Sequence, residues 1–267
     1  MIVDAERDAL AARDLLTAAA REAGAFALKF FRRGAATSAR VKSKSGGSPV
    51  TEADLAADSL MRRRLGEAFP DAGWLSEETA DDFRRLSRRS LIIVDPIDGT
   101  RAFVAGDPRW AVSAALVVDG RPVAGVVHAP ALDETYAAAR GAGAELNGVA
   151  LAAPGRADWS KLTAAGPKLI VQAMAARIGA ATDIAPRVPS LAYRLCMAAR
   201  GAVDFAIAAE NSHDWDIAAA DCLLEAAGER LIYNARVVRR GALLAASEEL
   251  AHRLVPAFRA ATGAQPE

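Results

Sequence analysis

The stretch LIIVDPIDGTRAF, Leu91–Phe103, ends an aliphatic run in two aspartates, a proline, a glycine and a threonine. LIIV reads as a buried strand. Ligand-binding loops emerge at strand ends in α/β arrangements, so Asp95 is expected at the end of this one. Pro96 fixes its own φ and Gly99 relaxes the turn, so the peptide from 95 to 98 is expected to curl. Curling brings the Asp95 and Asp98 carboxylates toward one point. Carboxylates that close repel, and one must take up a proton unless a cation lies between them. Carboxylates, a backbone carbonyl and waters form an all-oxygen set that suits Mg2+. GTRAF then starts a helix, whose first N–H groups lack intrahelical partners and can hold an anion such as phosphate. Metal ligands and an anion cradle so close together are what phosphoryl chemistry requires. A bare DPxDG is also an ordinary turn with aspartates capping backbone groups, so the rest of the chain must decide.

The 267 residues are 52% hydrophobic and 25% charged, as in a globular chain with an ample core. Lys plus Arg and Asp plus Glu both number 33, and zero net charge argues against a nucleic-acid polymer as partner. Small phosphorylated ligands stay open, because they need only a local positive site. Cys196 and Cys222 lie in apolar runs without metal-type spacing and read as buried free thiols. The opening MIVDAERDALAARDLL has no cationic segment leading into an apolar block, and no membrane-length apolar run occurs. A cytoplasmic location without membrane contact is expected.

Residues 4–33 read as one long helix, with Leu15, Ala19, Glu22, Phe26 and Phe30 at helical spacing and Gly34 as its stop. KSKSGGSPVTEAD is turn-like, and TEADLAADSLMRRRLGEAF resumes helical periodicity. Thr51 is the expected N-cap there, with Asp54 in the capping-box position. FPDAGWLSEET reads as a turn, a short strand and the pair Glu77 and Glu78. AVSAALVVDGRPVAGVVHAP reads as two strands joined at Asp119-Gly120, and TYAAARGAGAELNG as a further strand and a tight turn. Residues 150–185 mix weak strand and helix signals. SLAYRLCMAARGAVDFAIA predicts a helix closed by Gly201 and then a strand, and DIAAADCLLEAAGE a helix stopped at Gly228. LIYNARVVRRGALLAAS predicts closing strands, EELAHRLVPAFRAA a last helix, and TGAQPE a frayed end. This alternation defines a mixed α+β class. A division near residue 145 is expected, with most acidic candidates in 1–145 and the substrate-selecting region in 146–267, the two forming one catalytic unit.

Alone, Glu77-Glu78 reads as a solvated surface turn and Asp216 as a helix N-cap. Together with Asp95–Phe103 they resemble the inositol monophosphatase family of Mg2+-dependent small-molecule phosphatases. The D-P-x-D-G-T-x-x-F motif is present in full at Asp95–Phe103, the E-E pair at Glu77 and Glu78, and W-D-x-A-A at Trp215–Ala219. SPVTEAD, Ser48–Asp54, and GAGAELNG, Gly141–Gly148, are family-like as well. Order and spacing hold from about residue 40 to 230. The family's second motif usually ends in two glycines, whereas Gly228 is followed by Glu229, a departure that touches only the local turn.

The resemblance implies a layered αβαβα sandwich with mixed sheets, of the sugar-phosphatase type. It implies that Glu77, Asp95 and the Ile97 carbonyl hold one Mg2+ and that Asp95, Asp98 and Asp216 hold a second, with Glu77 and waters holding a third. Asp54 and Thr100 would orient and deprotonate the attacking water, with Glu77 in the catalytic set. The N–H groups of Gly99 and Thr100 would grip the phosphate, with Asp98 and Asp216 also facing substrate. A homodimer and sensitivity to Li+ are implied too.

Rival chemistries find no support: there is no G-x-S-x-G, no P-loop, and GAGAELNG lacks the third glycine of a dinucleotide loop. His128 and His252 read as structural or surface residues, and His213, three before Asp216, as support behind the site. The residues that select the substrate are expected in 185–213. Arg194 falls where bisphosphate nucleotidases look to carry a cation, and a guanidinium suits a second phosphate. SPVTEAD and the compact 150–185 region lean toward that branch. The arginine after Thr100 resembles the histidinol-phosphate branch. Glu210 stands one residue closer to Asp216 than the acid of the inositol branch. The expected substrate is therefore a 3'(2'),5'-bisphosphate nucleotide, adenosine 3',5'-bisphosphate above all, ahead of inositol 1-monophosphate and histidinol phosphate. A non-catalytic phosphate-binding regulator on the same fold would be expected to have lost a metal ligand, and none is missing.

Overall fold

A computed structural model describes residues 9–81, 83–152, 157–210, 212–233 and 241–263. Helix α1 (Ala9–Leu28) buries a stripe of alanines, Ala12, Ala19, Ala20, Ala23 and Ala27, around a single Leu16. Of the residues expected at helical spacing, Ala19 is buried and Phe30 packs against the core, whereas Leu15 is 41% exposed. Alanines make the contact because they let the helix lie close to its neighbours, while the larger side chains edge it. The helix also stops six residues before Gly34. The N–H groups of Lys29, Phe30 and Phe31 bond back only three residues, at 3.1, 3.0 and 3.2 Å, so the last turn tightens and the chain leaves the axis. The expected start at residues 4–8 lies outside the described residues.

Strands β1 (Val41–Ser43) and β2 (Pro49–Thr51) form an antiparallel pair that delivers the chain to α2 (Glu52–Ala68). The expected capping box is present: the Thr51 hydroxyl accepts the Asp54 N–H, and the Asp54 carboxylate accepts the Thr51 N–H at 2.8 Å. Thr51→Ala should lower stability by about 1–2 kcal/mol, measured by denaturant unfolding, because it removes a buried cap as well as a hydrogen bond to Asp54.

The chain continues as β3 (Gly73–Ser76), β4 (Ser90–Asp98), α3 (Thr100–Ala105), β5 (Ala111–Val118), β6 (Arg121–Ala129), β7 (Glu134–Ala139), β8 (Gly143–Leu146) and β9 (Val149–Ala150). These seven strands pair in chain order, β3 parallel to β4 and every later pair antiparallel. Asp119 and Gly120 both have positive φ, 48° and 76°, as the expected two-residue hairpin demands. TYAAARGAGAELNG makes a hairpin of two strands, one more than expected, because Gly141 and Gly143 (φ 79° and 83°) turn the chain straight back.

The remainder runs β10 (Lys161–Ala165), α4 (Lys168–Ile178), β11 (Ala181–Ile184), α5 (Leu191–Ala199), β12 (Phe205–Ala208), α6 (Asp214–Ala226), β13 (Glu229–Tyr233), β14 (Leu243–Ser247) and α7 (Glu248–Thr262). The second sheet has the order β11-β10-β12-β14-β13, with β10 parallel to both neighbours and β14 antiparallel to both. The parts of the expected closing strands and frayed end at 234–240 and 264–267 lie outside the described residues.

Three apolar clusters set the layers. One joins α1 and α2 to the seven-stranded sheet, a second packs α5 and α6 between the sheets, and a third lies among α4, α7 and the five-stranded sheet. The result is the expected αβαβα sandwich. Gly125 on β6 controls how close the middle layer comes, since a Cβ there would lie 2.6 Å from the Ala219 carbonyl oxygen of α6. That contact fixes the height of α6, and with it the position of Asp216. Among the described residues no helix is long and apolar enough to cross a membrane.

Candidate active site

Strand β4 does not end at Asp95. Its pairing with β5 slips between Asp95 (opposite Ser113) and Asp98 (opposite Ala111), and the strand continues to Asp98. Pro96 has no N–H to give the ladder, so the strand bulges there instead of stopping. The bulge, with α6 packed behind it, brings one oxygen each of Asp95, Asp98 and Asp216 within 4.8 Å of one another.

Asp95 is buried and accepts the Ile97 N–H at 3.0 Å. Burial, then the charges of Glu77, Asp98 and Asp216, pushes its carboxyl well above the usual carboxylate range. Asp98 receives the start of α5: the Ser190 hydroxyl donates at 2.5 Å, the Ala192 N–H at 2.7 Å and the Leu191 N–H at 3.2 Å. Burial and the Asp216 charge still raise it to about 7 against those hydrogen bonds. Gly99 is required by the same junction, since it has φ 88° and a Cβ would stand 3.1 Å from Ser190 N. Asp216 is the third residue of α6 and not its cap. The cap is His213, whose N–H donates to Asp216 Oδ2 at 2.6 Å and whose ring stacks on Trp215 at 4.6 Å. His213 thus touches Asp216 through its backbone N–H, while its own side chain is exposed.

Glu77 lines the same cleft but lies outside the three-oxygen group. Lys44 Nζ donates to Glu77 and to Glu78, each at 2.7 Å. Burial raises the Glu78 carboxyl despite that partner. The Thr79 hydroxyl, with that of Ser76, holds Asp58 of α2 and pins the loop that carries both glutamates. Sequence reasoning missed Lys44, because one lysine in a polar turn carries no signal of a partner 33 residues away. It missed Ser190 for the same reason, although S-L-A-Y before an apolar helix is a legible N-cap.

Thr100 Oγ1 lies 3.1 Å from both Asp54 Oδ1 and the Ile97 carbonyl, and its single proton serves one of them at a time. Burial raises the Asp54 carboxyl above its usual value. The cleft, about 190 Å³, is also lined by Gly99, Ser48, Arg101 and Arg187. Arg194 is not in it. Arg194 lines a neighbouring cavity of about 700 Å³ with Lys168 and Arg187, and Arg187 belongs to both. Its Nη1 donates to the Val188 carbonyl at 3.2 Å, and its buried Nε has no partner among the described residues. Burial lowers the pKa of this guanidinium. Glu210 and His252 are exposed, His128 is buried 2.9 Å from the Thr135 hydroxyl, and Cys196 and Cys222 are buried free thiols.

A sandwich of this topology with buried acids on a bulged strand defines a class, the phosphoric monoester hydrolases of small metabolites. The family model described as "Inositol monophosphatase family" matches residues 11–263, and the chain belongs to that family. It is 36% identical over 214 residues to a histidinol-phosphatase of Mycobacterium tuberculosis, covering 72% of this chain and 76% of that protein. It is 33% identical over 230 residues to inositol monophosphatase 2 of Solanum lycopersicum, covering 80% and 84%. The crystal structure of the extragenic suppressor protein suhB from Bartonella henselae superposes with a TM-score of 0.83 at 28% identity, over 93% of this chain and 98% of that one.

Proposed function

We propose that the chain is a Mg2+-dependent phosphomonoesterase whose preferred substrate carries a second phosphate, a 3'(2'),5'-bisphosphate nucleotide such as adenosine 3',5'-bisphosphate. The observation that carries this reading is Arg187, shared between the acidic cleft and the cavity of Lys168 and Arg194. A phosphate ester lying in the cleft would have three cationic side chains within reach of its far end. A half-satisfied guanidinium such as Arg194 gains most from an anion that completes it.

The donor set fits a hard divalent cation. Asp95, Asp98 and Asp216 converge in a buried place where their charges raise one another's cost. These three, with Glu77 and the Ile97 carbonyl, would hold two or three Mg2+ ions. Bound there, Mg2+ supplies charge neutralisation and Lewis acidity. Asp54 takes the Thr100 hydroxyl proton, which frees Thr100 Oγ1 to accept a proton from the attacking water. A carboxyl raised by burial is a better base near neutral pH. Gly99 and Thr100 offer backbone N–H groups to the phosphate, and Asp98 and Asp216 orient the ester. The halves 1–145 and 146–267 work as one unit, since each supplies carboxylates. A cytoplasmic homodimer inhibited by Li+ completes the proposal.

Histidinol phosphate is the second reading, favoured by the mycobacterial relative and by Arg101 in the cleft. Its amine would face Lys168, Arg187 and Arg194, a like-charge contact that weakens binding. Inositol 1-phosphate would leave those cations unmatched. Phosphate release from these three esters at one Mg2+ concentration decides, with the highest kcat/KM expected for the bisphosphate nucleotide. Arg187→Ala and Arg194→Ala should each raise its KM at least about tenfold, while KM for inositol 1-phosphate moves less than about threefold. Equal effects on both esters would remove the second-phosphate contact. A protein that binds these esters with Mg2+ but turns none over would be the non-catalytic regulator.

A further inference from the structure

Arg62 of α2, Trp74 of β3, and Arg84, Arg85 and Arg88 from the turn between β3 and β4 line a cavity of about 220 Å³. It shares no lining residue with the acidic cleft. Gly73 lets the two elements come together, since a Cβ there would lie 2.8 Å from Arg85 Cβ. The arginine-bearing turn therefore sits directly on the strand.

Two of the charges in this cavity, Arg62 and Arg88, are poorly matched. Arg85 holds Asp81 through Nε at 3.0 Å and Nη2 at 2.7 Å. Among the described residues no carboxylate pairs with Arg62 or Arg88, and the Trp74 indole N–H is buried without a hydrogen-bond partner. Guanidiniums gathered in one small cavity repel one another unless an anion joins them. The chain as a whole carries no net charge, so this excess is local and not part of a basic coat.

We propose that this cavity is a second anion-binding site, separate from the acidic cleft, and that it takes a small anion bearing two phosphate groups. Guanidinium forks match phosphate oxygens in pairs. The two forks without a carboxylate, those of Arg62 and Arg88, around about 220 Å³ suit a compact diphosphate better than a single phosphate. The Arg62 guanidinium lies over the Trp74 ring, 6.0 Å from its centroid, and stands over a face on which a nucleic-acid base would stack. This inference does not depend on the phosphatase chemistry proposed above.

Inorganic pyrophosphate is the probe, titrated calorimetrically into the full chain in EDTA. Arg62→Gln with Arg88→Gln should abolish one binding event or weaken it at least about tenfold. Both residues are exposed, so folding should be unaffected, and turnover of the ester in the cleft should stay at the wild-type rate. Arg187→Gln, in the cleft, and Arg63→Gln, an exposed neighbour that does not line the cavity, should leave this event intact. The proposal fails if the double variant binds as wild type does, or if Arg63→Gln weakens binding equally, which would mark diffuse charge. It fails too if a single-stranded oligonucleotide displaces pyrophosphate at equal concentration, since a polymer would then be the ligand.

Discussion

Asp95→Asn lowers phosphate-ester turnover at least about a thousandfold, a loss of ~4 kcal/mol in transition-state stabilisation, while raising the melting temperature in EDTA. The two halves of this expected result have one cause. Asp95 is the most crowded acid of the cleft, enclosed by protein and facing the charges of Glu77, Asp98 and Asp216. In the proposed mechanism that crowding is what recruits the cations, and neutralising its centre removes them. Without metal the same charge only repels, so its removal relieves the fold. The isostere keeps the one hydrogen bond the structure gives Asp95, because an amide oxygen accepts the Ile97 N–H as well as a carboxylate oxygen does. Kinetics with saturating Mg2+ and thermal melts in EDTA check both halves. Turnover within tenfold of wild type, or a lower melting temperature in EDTA, would remove Asp95 from the centre of the site.

The second large effect is on stability against pH. In EDTA the wild-type protein should lose stability as pH rises from about 4 to about 7, the reverse of ordinary acid unfolding. Asp98 is raised to about 7 and Asp95 well above its usual value, both chiefly by burial. A carboxyl raised in the folded state binds more protons folded than unfolded between its two pKa values. Stability then falls as pH climbs through that interval. Asp54 and Glu78 are raised and act in the same direction. His128 acts in the opposite one, because burial lowers it to about 4 and the unfolded chain protonates it first. The acids outnumber it. Comparing wild type with Asp95→Asn across the same pH range cancels the histidine. The stability difference between them should widen as pH rises and shrink when Mg2+ is added, since a ligand at 100 times its Kd adds ~2.7 kcal/mol to the form that binds it. A difference that stays flat with pH would show that the cleft carries no frustrated charge.

Much of this is legible in the sequence itself. The apolar run behind Asp95, the Thr51 capping box and the Asp119-Gly120 hairpin each state their structure within a few residues, and each formed as read. The α1 stripe was misjudged in part, because alanine is weakly apolar in a sequence, yet it allows the closest packing in a fold. The end of β4 was misjudged because a bulge and a strand end share the same local signal, a proline between polar residues. Arg187 was hidden among prolines in a segment already suspected of choosing the substrate, with nothing to mark it above its neighbours.

Local chemistry alone determined which residues have strand, turn and helix character and which side chains are able to bind metal or phosphate, because those properties reside in the residue and its immediate neighbours. Only the tertiary structure decided that Asp98 would anchor α5, that Lys44 would clasp two glutamates, and that Arg187 would join two cavities. Those outcomes depend on how closely packed layers bring distant segments together, down to the absence of a Cβ at Gly125 and Gly99, and a linear pattern carries no measure of that distance.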